Sequence, residues 1–84
     1  MVSNTAFSVG TTPLEIIPPS GDQIEALIHN NGSDNLYLGG PLVSSADLFI
    51  VPGAYLPLTI PAGSSLYAVS DSAGQDVRLL TYNR

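Results

Sequence analysis

The chain has no cysteine and no lysine, a single histidine, and no apolar run long enough to cross a bilayer as a helix. Each shortage removes a class of protein. Without cysteine there is no disulfide and no thiolate metal site, and one histidine leaves a zinc centre short of nitrogen ligands. Two arginines, Arg78 and Arg84, face seven acids (Glu15, Asp22, Glu25, Asp34, Asp47, Asp71, Asp76), giving a net charge of -5. Phosphate-backbone binding then lacks its electrostatic drive, so no nucleic-acid partner is expected, and no anionic membrane surface for the same reason. Residues 1–10 carry no basic segment and no sustained apolar core, so no signal peptide is expected there, and the chain is expected to be soluble and made in a cytoplasm. Charged residues are 11% of the chain, against about 25% in an ordinary globular domain.

What is present is apolar and small. At 84 residues and 8.7 kDa the chain has room for one domain, 1–84. A domain of this size buries only about 60% of its unfolded surface. Small folds make up the shortfall with disulfides, a metal or oligomerisation. Disulfides and a cysteine- or histidine-based metal site have just been excluded, which leaves association with a copy or with something larger. A surface poor in charge on a chain that is 44% apolar points the same way.

The stretch from Gln23 to Gly40 sets the architecture. Ile24, Ala26 and Ile28 alternate with Glu25, Leu27 and His29, the period of a strand. Asn30-Asn31-Gly32 then reads as a hairpin turn, because Asn-Gly tolerates positive φ, and Leu36-Tyr37-Leu38 is expected to return as the second arm. Upstream, a short strand is expected from about Thr5 to Val9, within a segment (1–12) also readable as an N-terminal arm reaching a neighbour. Leu14 to Ile17 follows as a strand ended by Pro18-Pro19. Downstream, Leu42-Val43 adds a few extended residues, Ser44 to Asp47 is a polar connection, and Leu48 to Val51 is a short strand. Pro52-Gly53 suits the central pair of a type II turn. Tyr55 to Ile60 is a strand that Pro57 assigns to a sheet edge, and Ser65 to Val69 and Val77 to Tyr82 complete the set. About eight short strands with turns every 8–12 residues predict an all-β fold, a small antiparallel sandwich or barrel.

Several of these strands are apolar on both faces. Leu36 and Leu38 oppose Tyr37, Leu66 and Ala68 oppose Tyr67 and Val69, and Val77 and Leu79 oppose Leu80 and Tyr82. A half-solvated antiparallel sheet alternates apolar with polar. The excess is either an interface with another protein or residues that a tightly curled fold hides within itself.

Chemistry is sparse. His29 with ten serines and seven acids could be assembled on paper into a Ser-His-Asp set, but there is no G-x-S-x-G elbow and nothing fixes the geometry. A solvated or turn-bonding imidazole is the ordinary outcome. Asp71 and Asp76 could hold calcium through hard oxygen ligands, yet their spacing matches no EF-hand loop and aspartates in turns bond their own backbone. Asn31-Gly32-Ser33 is a formal glycosylation sequon, better read as turn chemistry. No phosphate-binding glycine loop occurs. No cofactor and no metal are expected. Tyr37, Tyr55, Tyr67 and Tyr82 could stack on sugars or bases, but without a basic groove they read as interface packing.

The order of motifs is more telling than any one of them. I-x-N-x-G-x-x-x-L-Y-L-G (Ile28 to Gly39) is followed by V-P-G (Val51 to Gly53), L-x-I-P-A-G (Leu58 to Gly63), S-L-Y-A-V-S (Ser65 to Ser70) and V-R-L-L (Val77 to Leu80). Over residues 23–82 this resembles the small all-β virion proteins of tailed bacteriophages, especially capsid decoration or cement proteins and head or tail accessory domains. Ser44 to Asp47 departs from the Asn-Gly turn expected at that point. The resemblance implies a non-enzymatic protein on the capsid surface, bound to the major capsid protein lattice as a symmetric oligomer, often a trimer, and stabilising the head. Phe7, Tyr37, Tyr67, Leu80 and Tyr82 are then the expected interface residues. The alternative is a receptor- or glycan-binding tail or fibre domain whose tyrosines stack sugar rings, and a small hydrolase using His29 is a third class.

Overall fold

Period-two alternation decides which side chains turn inward, and the inward set of each strand closes one core between two sheets. The computed structural model describes residues 2–83. These form β1 (Val2–Val9), β2 (Leu14–Ile17), β3 (Ile24–Asn30), β4 (Leu36–Gly39), β5 (Phe49–Ile50), β6 (Tyr55–Ile60), β7 (Leu66–Ser70) and β8 (Gln75–Asn83). Two four-stranded antiparallel sheets result, with orders β1-β8-β3-β6 and β2-β7-β4-β5. This is the eight-stranded jelly-roll arrangement of an all-β sandwich. Val9, Ile28, Leu79 and Val77 from the first sheet meet Ile16, Leu36, Leu38 and Ala68 from the second, all buried. A register shift between Glu15 and Ile17 lets both Ile16 and Ile17 turn inward.

Of the seven connections, only β4 to β5 joins neighbours in one sheet. The expected central hairpin is therefore corrected. β3 and β4 lie in different sheets, and Asn30-Asn31-Gly32 is an arch between them. None of those three residues has positive φ. The reason lies in side chains. Asn30 is fully buried, its Nδ2 donating to the Asp34 and Ile50 carbonyls at 2.9 Å each while its Oδ1 accepts from the Gly32 N–H. Buried Gln75 reaches in from β8, and its Oε1 accepts from the Ser33 and Asp34 N–H groups at 2.7 and 3.0 Å. A Cβ at Gly32 would fall on that Gln75 oxygen, so the glycine is there for close approach.

Other local expectations hold. Val51-Pro52-Gly53-Ala54 is a turn closed by Ala54 N–H to Val51 O, with Gly53 at φ +82 as type II requires. Pro57 sits in edge strand β6. Leu42-Val43, expected to extend, instead turns, with the Val43 N–H donating to the Gly40 carbonyl. The segment readable as an arm is β1, paired with β8 along its whole length from Val2↔Tyr82 to Val9↔Gln75.

Candidate interaction surface

The two sheets treat their outward side chains differently. On β2-β7-β4-β5 the central outward residues Tyr37 and Val69 are covered by the chain itself, and Phe49 on edge strand β5 stays exposed beside them. The 40–47 connection folds back so that Val43 packs with Tyr37 and Val69, and all three are buried. Gly39 makes room for this, since a Cβ there would lie 3.3 Å from Val43 Cγ2. The Tyr37 hydroxyl donates to Asp71 Oδ2 at 2.8 Å. That carboxylate, together with burial, pushes the Tyr37 phenol above its ordinary range. Tyr67 packs at the margin of the same cluster, and the negative charge of Glu15, directly across the strand pair, raises its phenol likewise.

On β1-β8-β3-β6 nothing among the described residues covers the central outward side chains. The registers place them in rows across the sheet. One row is Val2, Tyr82, Glu25 and Thr59, the next Asn4, Leu80, Leu27 and Pro57, and the third Ala6, Arg78, His29 and Tyr55. The centre is apolar, with Leu80, Leu27 and Tyr82 at 36%, 37% and 47% exposure. Glu25, Leu27, Pro57, Thr59, Leu80 and Tyr82 border an open groove of about 340 Å³. Polar anchors rim it. Thr59 Oγ1 donates to Glu25 Oε2 at 2.8 Å, and the His29 and Tyr55 rings stack at 4.1 Å. Arg78 grips Asp76 through Nε and Nη2, and Asn31 Nδ2 donates to the same carboxylate. Arg78 first, then Asn31, holds the Asp76 carboxyl below its usual range.

The five residues expected at an interface therefore fall in three places. Leu80 and Tyr82 lie together on the open face. Tyr37 is buried and Tyr67 half-buried under the chain's own loop. Phe7 turns inward, packs half-buried on the core and lines a separate groove at the end of the sandwich. Sequence reasoning missed Leu27 and Pro57 as members of the face. The signal was present, because Leu27 occupies a polar-face position between Glu25 and His29. Further apolar exposure lies around β5, at Leu42, Leu48, Phe49 and Val51.

The candidate chemical groups are not brought together. His29 is engaged by Tyr55, Asp71 by Tyr37 and Asp76 by Arg78. Among the described residues no three histidine or acidic groups converge on a common point.

No protein-family profile matches the chain, and no curated protein does. A solved structure described as "Bacillus endospore appendages form a novel family of disulfide-linked pili" contains a chain similar to this one. The TM-score is 0.66 at 12% identity, over 99% of this chain and 85% of that one. The likeness is one of fold. It places the β1-β8-β3-β6 and β2-β7-β4-β5 sandwich among architectures that occur elsewhere with almost unrelated sequence.

Proposed function

We propose that this chain is a non-enzymatic structural protein of a multisubunit particle, and that it works by laying the outer face of the β1-β8-β3-β6 sheet against another protein. The contrast between the two outer faces of one sandwich carries this reading. The chain spends Gly39, Val43 and the 40–47 connection on covering Tyr37 and Val69, and leaves Leu27, Pro57, Leu80 and Tyr82 in water. The backbone beneath these side chains is already ordered by strand pairing, so burying them costs only side-chain rotamer freedom. In the form to which the sequence resemblance points, the particle is a bacteriophage head, the chain is a decoration protein, and the covering surface is the major capsid protein lattice. The fold likeness to an appendage pilus chain supports the coarser reading, a subunit that assembles with copies of itself. These 84 residues contain no cysteine, so contacts made through them are not disulfide-linked.

Size sets the style of attachment. Four strands about 4.8 Å apart and on average about eight residues long at about 3.3 Å each give a face of roughly 500 Å² in projection. A standard interface uses about 800 Å² per partner. Accessible surface exceeds projected area, so one face alone is at most a standard-sized contact, and repetition on a symmetric lattice adds avidity.

Mixing the protein with undecorated capsids and counting bound copies tests this. Saturable occupancy that is lost in the Leu27→Ser, Leu80→Ser double variant is expected. Undiminished occupancy in that variant would overturn the assignment of the face, and no saturable occupancy would overturn the decoration role.

A further inference from the structure

A sandwich of two open sheets has four edge strands, and unpaired edges are normally blunted against pairing with other chains. Three of the four are blunted. β6 carries Pro57, β5 is two residues long, and β2 is four residues with a register break, flanked by Pro13 and Pro18. β1 is different. It runs eight residues, VSNTAFSV, without proline, glycine or charge. In a chain of net charge -5 a second copy meets no like charge along this strand, and of the uncharged edges β1 alone is both long and free of proline.

The direction of its free backbone groups follows from the ladder. The Asn31 N–H donates to the Asp76 carbonyl, so Asp76, Arg78, Leu80 and Tyr82 turn their backbone groups toward β3, and the alternate residues of β8 turn theirs toward β1. With the register Ser3↔Thr81, Thr5↔Leu79, Phe7↔Val77, the odd residues of β1 bond β8. Val2, Asn4, Ala6 and Ser8 therefore aim their N–H and C=O groups at the open side.

We infer that β1 pairs antiparallel with β1 of a second copy about a two-fold axis through Thr5. In that register Asn4 faces Ala6 of the second copy and Val2 faces Ser8, each pairing made twice by symmetry. Every free backbone group of Val2, Asn4, Ala6 and Ser8 is satisfied. Shifting the axis to Ala6 leaves Val2 without a partner. The two β1-β8-β3-β6 sheets become one eight-stranded sheet, and the symmetry puts both apolar faces on the same side. The docking area of the preceding section doubles to roughly 1,000 Å² in projection. The inference deepens that reading by naming the partner at the edge.

The absence of cysteine makes the test clean. Thr5 and its symmetry mate form a non-hydrogen-bonded pair, with Cα atoms about 4.5 Å apart, inside the range a disulfide spans. Thr5→Cys is expected to oxidise to a reductant-sensitive dimer of twice the 8.7 kDa chain mass, many-fold faster than Ala62→Cys in the exposed turn before β7. Ala6→Pro removes a donor from the free side alone and spares the β8 ladder. It is expected to halve the mass seen by light scattering while the circular dichroism stays that of the parent. Equal cross-linking rates for the two cysteine variants, or a mass unaffected by Ala6→Pro, would overturn the pairing. The Leu27→Ser, Leu80→Ser variant keeps the edge intact. Should it lose capsid occupancy yet cross-link normally through Thr5→Cys, edge and face are separate contacts. A face that fails to bind leaves the cross-linking result standing on its own.

Discussion

Replacing Asn30 by alanine tests the arch between the sheets. Asn30 is fully buried at the end of β3, and its amide holds two carbonyls, Asp34 from the arch and Ile50 from the far sheet. Alanine takes that donor from the Ile50 carbonyl, which keeps only its ladder bond, strands the part-buried Asp34 carbonyl, and leaves the Gly32 N–H without its acceptor. A stranded buried polar group costs about 1–3 kcal/mol. With the Asp34 group partly reached by water, the total is about 3 kcal/mol. For a domain of this size each kcal/mol shifts Tm by about 4–8 °C, so the loss is roughly 12–24 °C. Asn31→Ala is the control, since the bond of Asn31 to Asp76 is exposed, and its cost is expected below about 1 kcal/mol. Urea titration measures both, with an unchanged slope showing that only stability moved. Equal small losses for Asn30→Ala and Asn31→Ala would refute the reasoning, because a solvated turn residue behaves that way and a pin between sheets does not.

Gly32→Ala puts a methyl where Gln75 Oε1 lies, displacing the acceptor of the Ser33 and Asp34 N–H groups, and is expected to cost about 1–2 kcal/mol in the same titration. Val43→Ser removes the cover from Tyr37 and Val69 and should cost about 1–2 kcal/mol while making Tyr37 accessible to iodination. In an alkaline titration followed by phenolate absorbance, Tyr37 and Tyr67 are expected to ionise last, since neighbouring carboxylates and burial raise both. Because the raised value belongs to the folded state, this contribution to stability is complete below pH 10, where an unfolded tyrosine titrates, and is lost as pH climbs through the raised value. Tyr37→Phe should flatten that alkaline decline.

Strand existence was legible because it is local. The alternation of Ile24, Ala26 and Ile28, and of Leu56, Leu58 and Ile60, survives as the inward faces of β3 and β6, and Pro57 marked its strand as an edge. Pairing was not legible, because six of the seven connections cross between sheets and β8 must bridge β1 and β3 from the far end of the chain. Asn31-Gly32 misled for a physical reason. Its glycine serves a contact with Gln75, some forty residues away, which no local pattern encodes. The doubly apolar strands had two explanations, burial within the chain or an interface, and the strands divide between covered and open. Tyr37 and Val69 are hidden by Val43 of the same chain, whereas Leu80 and Tyr82 are left open beside Leu27. What separates the cases is the path of the 40–47 connection, which no local pattern in the sequence encodes.

The claim that the open face of β1-β8-β3-β6 is a buried surface in the working particle is tested most directly by hydroxyl-radical footprinting of the free protein and of the assembled particle. Leu27, Leu80 and Tyr82 are expected to oxidise readily in the free chain and to be protected at least several-fold in the particle. Oxidation of these three at the free-chain rate within an intact particle would contradict the account.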